Sequence, residues 1–156
     1  MIYTFTIPGN PITKKNSQKI ITIGRRHSLV PSDQYKAYEK AAMFYLLKGK
    51  PKTPIDYPVH VQCIYYMESR RRVDLTNLLE ATDDILVSAG ILLDDNRNII
   101  ASHDYSRVYW DKQNPRVRIF IEPMSKEFYR PWTPGDNTPD GPPCAGNDNF
   151  DEEHWD

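Results

Sequence analysis

After Asp74 the apolar positions recur every three or four residues. Leu75, Leu78, Leu79, Thr82, Ile85, Leu86 and Ala89 fall within one arc of about 120° when successive residues turn by 100°. This spacing predicts an amphipathic helix, and Gly90 supplies its stop signal. A second helix is predicted from a cap at Ser32 or Asp33 to about Lys48, with Tyr35, Tyr38, Ala41, Ala42, Tyr45 and Leu46 as its apolar stripe and Gly49 and Pro51 ending it. Elsewhere the pattern is that of strands. Residues 2–7 form one, closed by Pro8-Gly9-Asn10-Pro11, and residues 19–30 form a hairpin turning at Gly24-Arg25-Arg26. Residues 59–67, 99–110 and 116–122 are further strands, the last two joined by a loop at 111–115. The order ββαβαββ predicts an α+β (α/β-like) domain, a mixed β-sheet with two main helices. Its expected extent is residues 1–130. From Pro131 to Asp156 the chain turns rich in Pro, Gly, Asp and Asn and offers nothing to nucleate a core, so it is expected to be a disordered or loosely packed tail.

Of the 156 residues 39% are hydrophobic and 26% charged, the balance of a globular chain rather than a disordered one. No apolar run is long enough to span a membrane, and the first residues lack the charged and apolar regions of a secretory signal. Cys63 and Cys144 stand far apart and outside metal-binding spacing, which argues against a zinc site and implies no disulfide. The expected compartment is the cytoplasm. The net charge of −1 hides a division. Residues 131–156 hold seven acidic side chains and no Lys or Arg, leaving 20 basic against 14 acidic groups, a net of +6, in the first 130. A basic body suits a polyanionic partner despite the neutral total.

Opposite the leucines, Asn77, Glu80 and Asp84 form a polar stripe with Asp74 at its edge, and Asp94-Asp95 follows at a turn. Such carboxylates are either solvated charges with a helix cap at Asp74, or hard oxygen ligands for a cation such as Mg2+. The flanking Arg70-Arg71-Arg72, with Lys14, Lys15, Arg25 and Arg26, tips the balance toward phosphodiester chemistry. There cations grip a nucleic-acid backbone and a metal activates water. His103 has the position of a sheet-surface residue, and no histidine is placed as an obvious base. Tyr105, Tyr109 and Trp110 are suited to core packing, to a dimer interface, or to stacking on unpaired bases.

The segment Arg70-Arg-Arg-Val-Asp-Leu-Thr-Asn-Leu-Leu-Glu80, followed by Asp84 and by Gly90-Ile-Leu-Leu-Asp-Asp95, resembles the RusA family of Holliday-junction resolvases. In that family a basic run precedes a D-L-D-N-L motif, then a helix with an internal aspartate and a paired aspartate before the next strand. The opening Ile7-Pro-Gly-Asn-Pro11 with Lys14-Lys15-Asn16 fits as well, so the resemblance covers residues 2–122. It implies a homodimeric endonuclease, dependent on Mg2+ or Mn2+, that resolves four-way DNA junctions by paired symmetric nicks in recombination and repair. Family members are often encoded by phages.

The resemblance assigns Asp74, Asp94 and Asp95 as metal ligands, with Asp74 and Asp95 the principal ones. Asp84 either ligates or orients a water. The chain departs from the motif at Thr76, where an aspartate is usual, and at Glu80, where a lysine is usual. Glu80 lies four residues after Thr76 on the same helix face, so it either returns the missing carboxylate as a catalytic ligand or is an ordinary exposed residue. Lys14, Lys15, Arg25, Arg26, Arg70, Arg71 and Arg72 are the expected phosphate contacts. Two alternatives stand beside a nuclease: a weakened protein that binds branched DNA without cutting it, and a non-enzymatic adaptor that docks through its acidic tail.

Overall fold

The strand residues Val59–Met67 alternate between buried and half-buried, and Arg116–Pro123 alternate buried positions with half-buried or exposed ones, which gives each strand one face for a core and one for solvent. The computed structural model describes residues 2–14, 18–23 and 26–125. The chain divides into two units, Met1–Met124 and Ser125–Asp156, and every element below belongs to the first. In chain order these are β1 (Tyr3–Pro8), β2 (Gln18–Ile23), β3 (Arg26–Pro31), α1 (Asp33–Leu46), β4 (Val59–Met67), α2 (Leu75–Ser88), β5 (Ile100–Ser102), β6 (Arg107–Trp110) and β7 (Arg116–Pro123).

The main sheet runs β1-β7-β4-β5, with β6 also paired to β4. β7 is antiparallel to both neighbours, whereas β5 and β6 run parallel to β4. Parallel neighbours need a crossover, and α2 provides it between β4 and β5. β2 and β3 form the expected antiparallel hairpin as a separate two-stranded sheet. The architecture is therefore α+β, with a mixed sheet and two helices.

Both helices contribute to a core on one face of the sheet. Val61, Cys63 and Tyr65 of β4 and Val117, Ile119 and Ile121 of β7 meet Ala42 and Leu46 of α1 and Leu78, Ile85 and Leu86 of α2. Cys63 is a free thiol in that core, and burial pushes its pKa up to about 12. α2 ends as its sequence indicates. Gly90 adopts φ +65, its N–H bonds the Val87 carbonyl, and the Ile91 N–H bonds the Leu86 carbonyl, which closes the last turn. α1 is capped by Ser32, whose hydroxyl accepts from the Tyr35 N–H.

Two expectations change. α1 stops at Leu46 and passes into a 3-10 turn over Leu47–Gly49, with Ala41 and Tyr45 of its stripe on the solvent side. The strand expected at 99–110 is two strands, broken at 103–106. There the Ser106 hydroxyl takes the Cys63 N–H in place of a ladder carbonyl, and Tyr105 turns to φ +59, a left-handed backbone that an extended strand excludes. The Gly24-Arg25 turn, Cys144 and the whole tail lie outside the described residues. Among the described residues no helix is long and apolar enough to cross a membrane.

Candidate active site

The polar face of α2 and the turn that follows it carry the acidic residues singled out above. Asp74 occupies the N-cap position, yet its carboxylate caps no backbone N–H; it accepts from the Asn77 side-chain amide at 3.2 Å instead. Ten residues further on, Asp84 is held by Lys14, with Nζ 2.8 Å from Oδ2. At 1.5 Å per residue, Asp74 and Asp84 stand about 15 Å apart along the helix axis, so one ion cannot take both.

Lys14 is the centre of a wider cluster. Its pKa is raised first by the hydrogen bond to Asp84, against an opposing desolvation, and then by the charges of Asp84, Glu39 and Glu80. The same three carboxylates act on Tyr35, whose pKa is raised chiefly by burial. The Tyr35 hydroxyl is buried there without a hydrogen-bond partner. Glu80 is thus brought toward Lys14 and Asp84, while Thr76 stays exposed on the preceding turn.

The Asp94-Asp95 pair is built by the descent from α2. Ile91 and Leu92 are buried, and an Ile55–Leu92 bridge anchors this segment beside residue 55, so the next two residues emerge at the surface. Asp94 shapes the turn: Oδ1 accepts from the Asp95 N–H at 2.8 Å and Oδ2 from the Asn96 side chain at 2.7 Å. Those bonds, the Asn96 one first, lower its pKa. Asp95 moves the other way, through desolvation first and then through its contact with Asp94 and the charges of Asp94 and Asp84. One carboxylate of the pair builds the loop, and the other faces outward under like-charge pressure. Asp84 thus bonds Lys14 directly and lies within electrostatic range of Asp95. Among the described residues, no three His, Cys, Asp or Glu side chains gather as a ready metal cage.

Arg70, Arg71 and Arg72 follow β4 and lead into α2. Arg71 and Arg72 line a cleft of about 270 Å³ with Asn10, Thr13 and Val73. The Arg70 guanidinium lies 4.3 Å from the centre of the Trp110 ring. Lys15 and Arg25 lie outside the described residues; Arg26 belongs to β3, and its side chain is likewise outside.

A second ionic pair has no counterpart in the sequence reading. His103, expected on the sheet surface, is half-buried, with Nε2 2.9 Å from Asp83 Oδ2 and Nδ1 2.8 Å from the Val61 carbonyl. Burial works to lower the His103 pKa, but the bond to Asp83 and its charge outweigh that and raise it. Asp83 itself is buried on the shoulder of the apolar arc, next in sequence to Asp84. A charged residue on that shoulder was the one available signal, and it does not name its partner.

No curated protein matches the chain. The family model described as endodeoxyribonuclease RusA matches residues 8–122, from the end of β1 to the end of β7, and so takes in every carboxylate just described. That match covers most of the chain and fits the acidic helix face, the paired aspartates and the arginine-bearing entry to α2: the protein belongs to the RusA family of endonucleases, which act on junction DNA.

Proposed function

We propose that this chain is a divalent-metal-dependent resolvase, using Mg2+ or Mn2+, that cuts four-way junctions by paired symmetric nicks. In this reading it works as a homodimer, since a twofold junction suits a twofold enzyme. Residues 1–130 form the nuclease domain and 131–156 an acidic extension. The observation that carries the reading is the Lys14–Asp84 ion pair on the acidic face of α2, with an arginine run at the start of the same helix.

The donor set fits a hard cation in its chemistry. Every candidate ligand is a carboxylate, and Asp95 sits beside a like charge that a cation relieves. Mg2+ is usually held by one or two carboxylates with water and substrate phosphate, so a preformed cage is not required. Asp74 and Asp95 would be the principal ligands, with Asp94 and Glu80 in support. When bound, the ion polarises the scissile phosphate and lowers the pKa of water.

The rest of the chemistry falls to the protein. Asp84 stands too far from Asp74 to serve an ion there, so in this reading it orients a water on the Asp95 side of the site. Lys14 pins Oδ2, leaving Oδ1 to accept a hydrogen bond from the attacking water. Arg70 to Arg72 hold the strand by its phosphates.

The test is incubation of the full chain with a synthetic four-way junction, with and without Mg2+. Metal-dependent nicks at symmetric positions on opposed strands are expected. Asp95→Asn and Glu80→Ala should each abolish cleavage and leave the gel shift in EDTA intact; wild-type turnover by Glu80→Ala would remove that residue from the site. A gel shift without products would favour the weakened branched-DNA binder.

A further inference from the structure

The sheet has a second face, and neither helix supplies the core there. Its residues alternate with the core residues and align across strands. In one row Arg116 of β7, Tyr66 of β4 and Tyr109 of β6 are neighbours; in the next, Arg118, Ile64 and Arg107. The third pairs Phe120 with Gln62. No carboxylate stands on this face within those three rows. Glu122 lies beyond one end, and Glu68 and Asp111 beyond the other, with Asp111 bonded to Arg116 at 2.8 Å. Among the described residues no carboxylate pairs with Arg107 or Arg118, and both side chains are exposed.

All three arginines lie over rings, and only Arg116 is also paired with an acid. Arg116 stands 3.7 Å from the Tyr66 ring centre, Arg118 5.1 Å from Phe120 and Arg107 5.8 Å from Tyr109. A guanidinium so placed keeps its edge N–H groups for phosphate oxygens. Tyr66 and Tyr109 also contact each other, with ring centres 5.6 Å apart. Beside the third row, the Gln62 side-chain amide bonds the Tyr105 carbonyl, and Tyr105 is 78% exposed despite its left-handed backbone. An aromatic residue held in that conformation and turned to solvent marks a strained site. Trp110, the residue after Tyr109 on β6, points to the helix side of the sheet, where it is 49% exposed and meets Arg70. A cleft of about 470 Å³ lies there among Met67, Arg70, Arg71 and Val108, with Tyr109 of the open face at its rim.

We propose that this open sheet face, centred on Arg107, Arg118, Tyr105 and Tyr109, is a binding surface for an unpaired DNA strand, distinct from the carboxylate site. The proposal rests on the reading of the chain as a nuclease of branched DNA, whose junction centre offers unpaired bases. Exposed rings recognise the flat faces of bases, which a duplex hides in its stack, and unpaired arginines recognise the backbone. A flat face of alternating Arg and Tyr has no element to enter a major groove, so duplex is the poorer ligand.

The test measures fluorescence anisotropy of the full chain in EDTA and low salt, with a labelled 20-nucleotide oligothymidine and with a blunt duplex of equal length. Junction cleavage in Mg2+ is followed on the same preparations. The wild type should bind oligothymidine at least tenfold more tightly than duplex. Arg107→Ala/Arg118→Ala should weaken that binding at least tenfold and flatten its salt dependence, by about 0.7 in log–log slope per lost phosphate contact. Tyr105→Gly removes the ring while relieving the left-handed backbone, so folding is not at risk; it should lose about fivefold with the slope unchanged. No single-strand preference in a wild type that still cleaves junctions overturns this proposal alone. Single-strand binding without junction cleavage upholds it and overturns the proposed function. If the double variant converts a dimer to a monomer by light scattering, the face is an interface between copies and the proposal fails.

Discussion

Asp83 and Asp84 are consecutive on α2, yet the fold gives them opposite surroundings. Asp83 turns inward to His103, with side-chain exposures of 11% and 24%; Asp84 turns outward to Lys14, with 30% and 43%. The inner pair ties α2 to the sheet, because His103 also bonds the Val61 carbonyl of β4. The outer pair ties α2 to the loop after β1, at a surface a substrate can reach. A buried pair is costly to break and gains no ligand by being there, whereas a half-exposed pair contributes little stability and is free to exchange its partner for substrate. The comparison separates a carboxylate that holds the structure from one placed to act.

Three measurements test that division. The largest effect is expected from Asp83→Ala, which leaves His103 without its partner and should cost about 3 kcal/mol. For a domain of this size that lowers the melting temperature by roughly 10 °C, with junction cleavage retained per folded molecule. A melting temperature within 2 °C of wild type would dissolve the distinction. Asp84→Asn should do the reverse, slowing single-turnover cleavage about a hundredfold and leaving the melting temperature within about 2 °C. A strongly destabilised Asp84→Asn would make it a second structural pair. The smallest effect is on pH dependence. The raised His103 pKa means the protonated imidazole is favoured by folding, so its contribution is complete below the unfolded value of about 6.5 and fades as pH rises through the folded one. The melting-temperature gap between wild type and His103→Gln should shrink by about 2 °C from pH 6 to pH 9. A gap that widens would mean the imidazole is neutral.

The periodicity of α2, its glycine stop and the two-faced strands were legible because each depends on neighbours within one or two turns. The break at 103–106 was not, because nothing in His103-Asp-Tyr-Ser106 signals a left-handed tyrosine; the Ser106–Cys63 contact that fixes it comes from a strand forty residues away. The arginine run and the paired aspartates could be read directly, and so could the motif's departure at Thr76. The Lys14–Asp84 contact joins residues 70 positions apart, and no local pattern could connect them. Asp83 was hidden by its neighbour: two adjacent acids on a helix look alike until the sheet shows which one it covers.

β7 lies between β1 and β4 and is the last strand of the unit to be made. A ribosome therefore delivers the N-terminal strand, both helices and the whole carboxylate constellation before the strand that joins the two halves of the sheet exists. Domains generally fold as units, and this one cannot complete its sheet until its last strand is made. The nascent protein must wait with an unpaired β1 edge and an exposed β4. Pairing over such sequence distances also makes for slow folding. For an endonuclease, that order means the sheet beneath the acidic helix closes only after translation has passed residue 123.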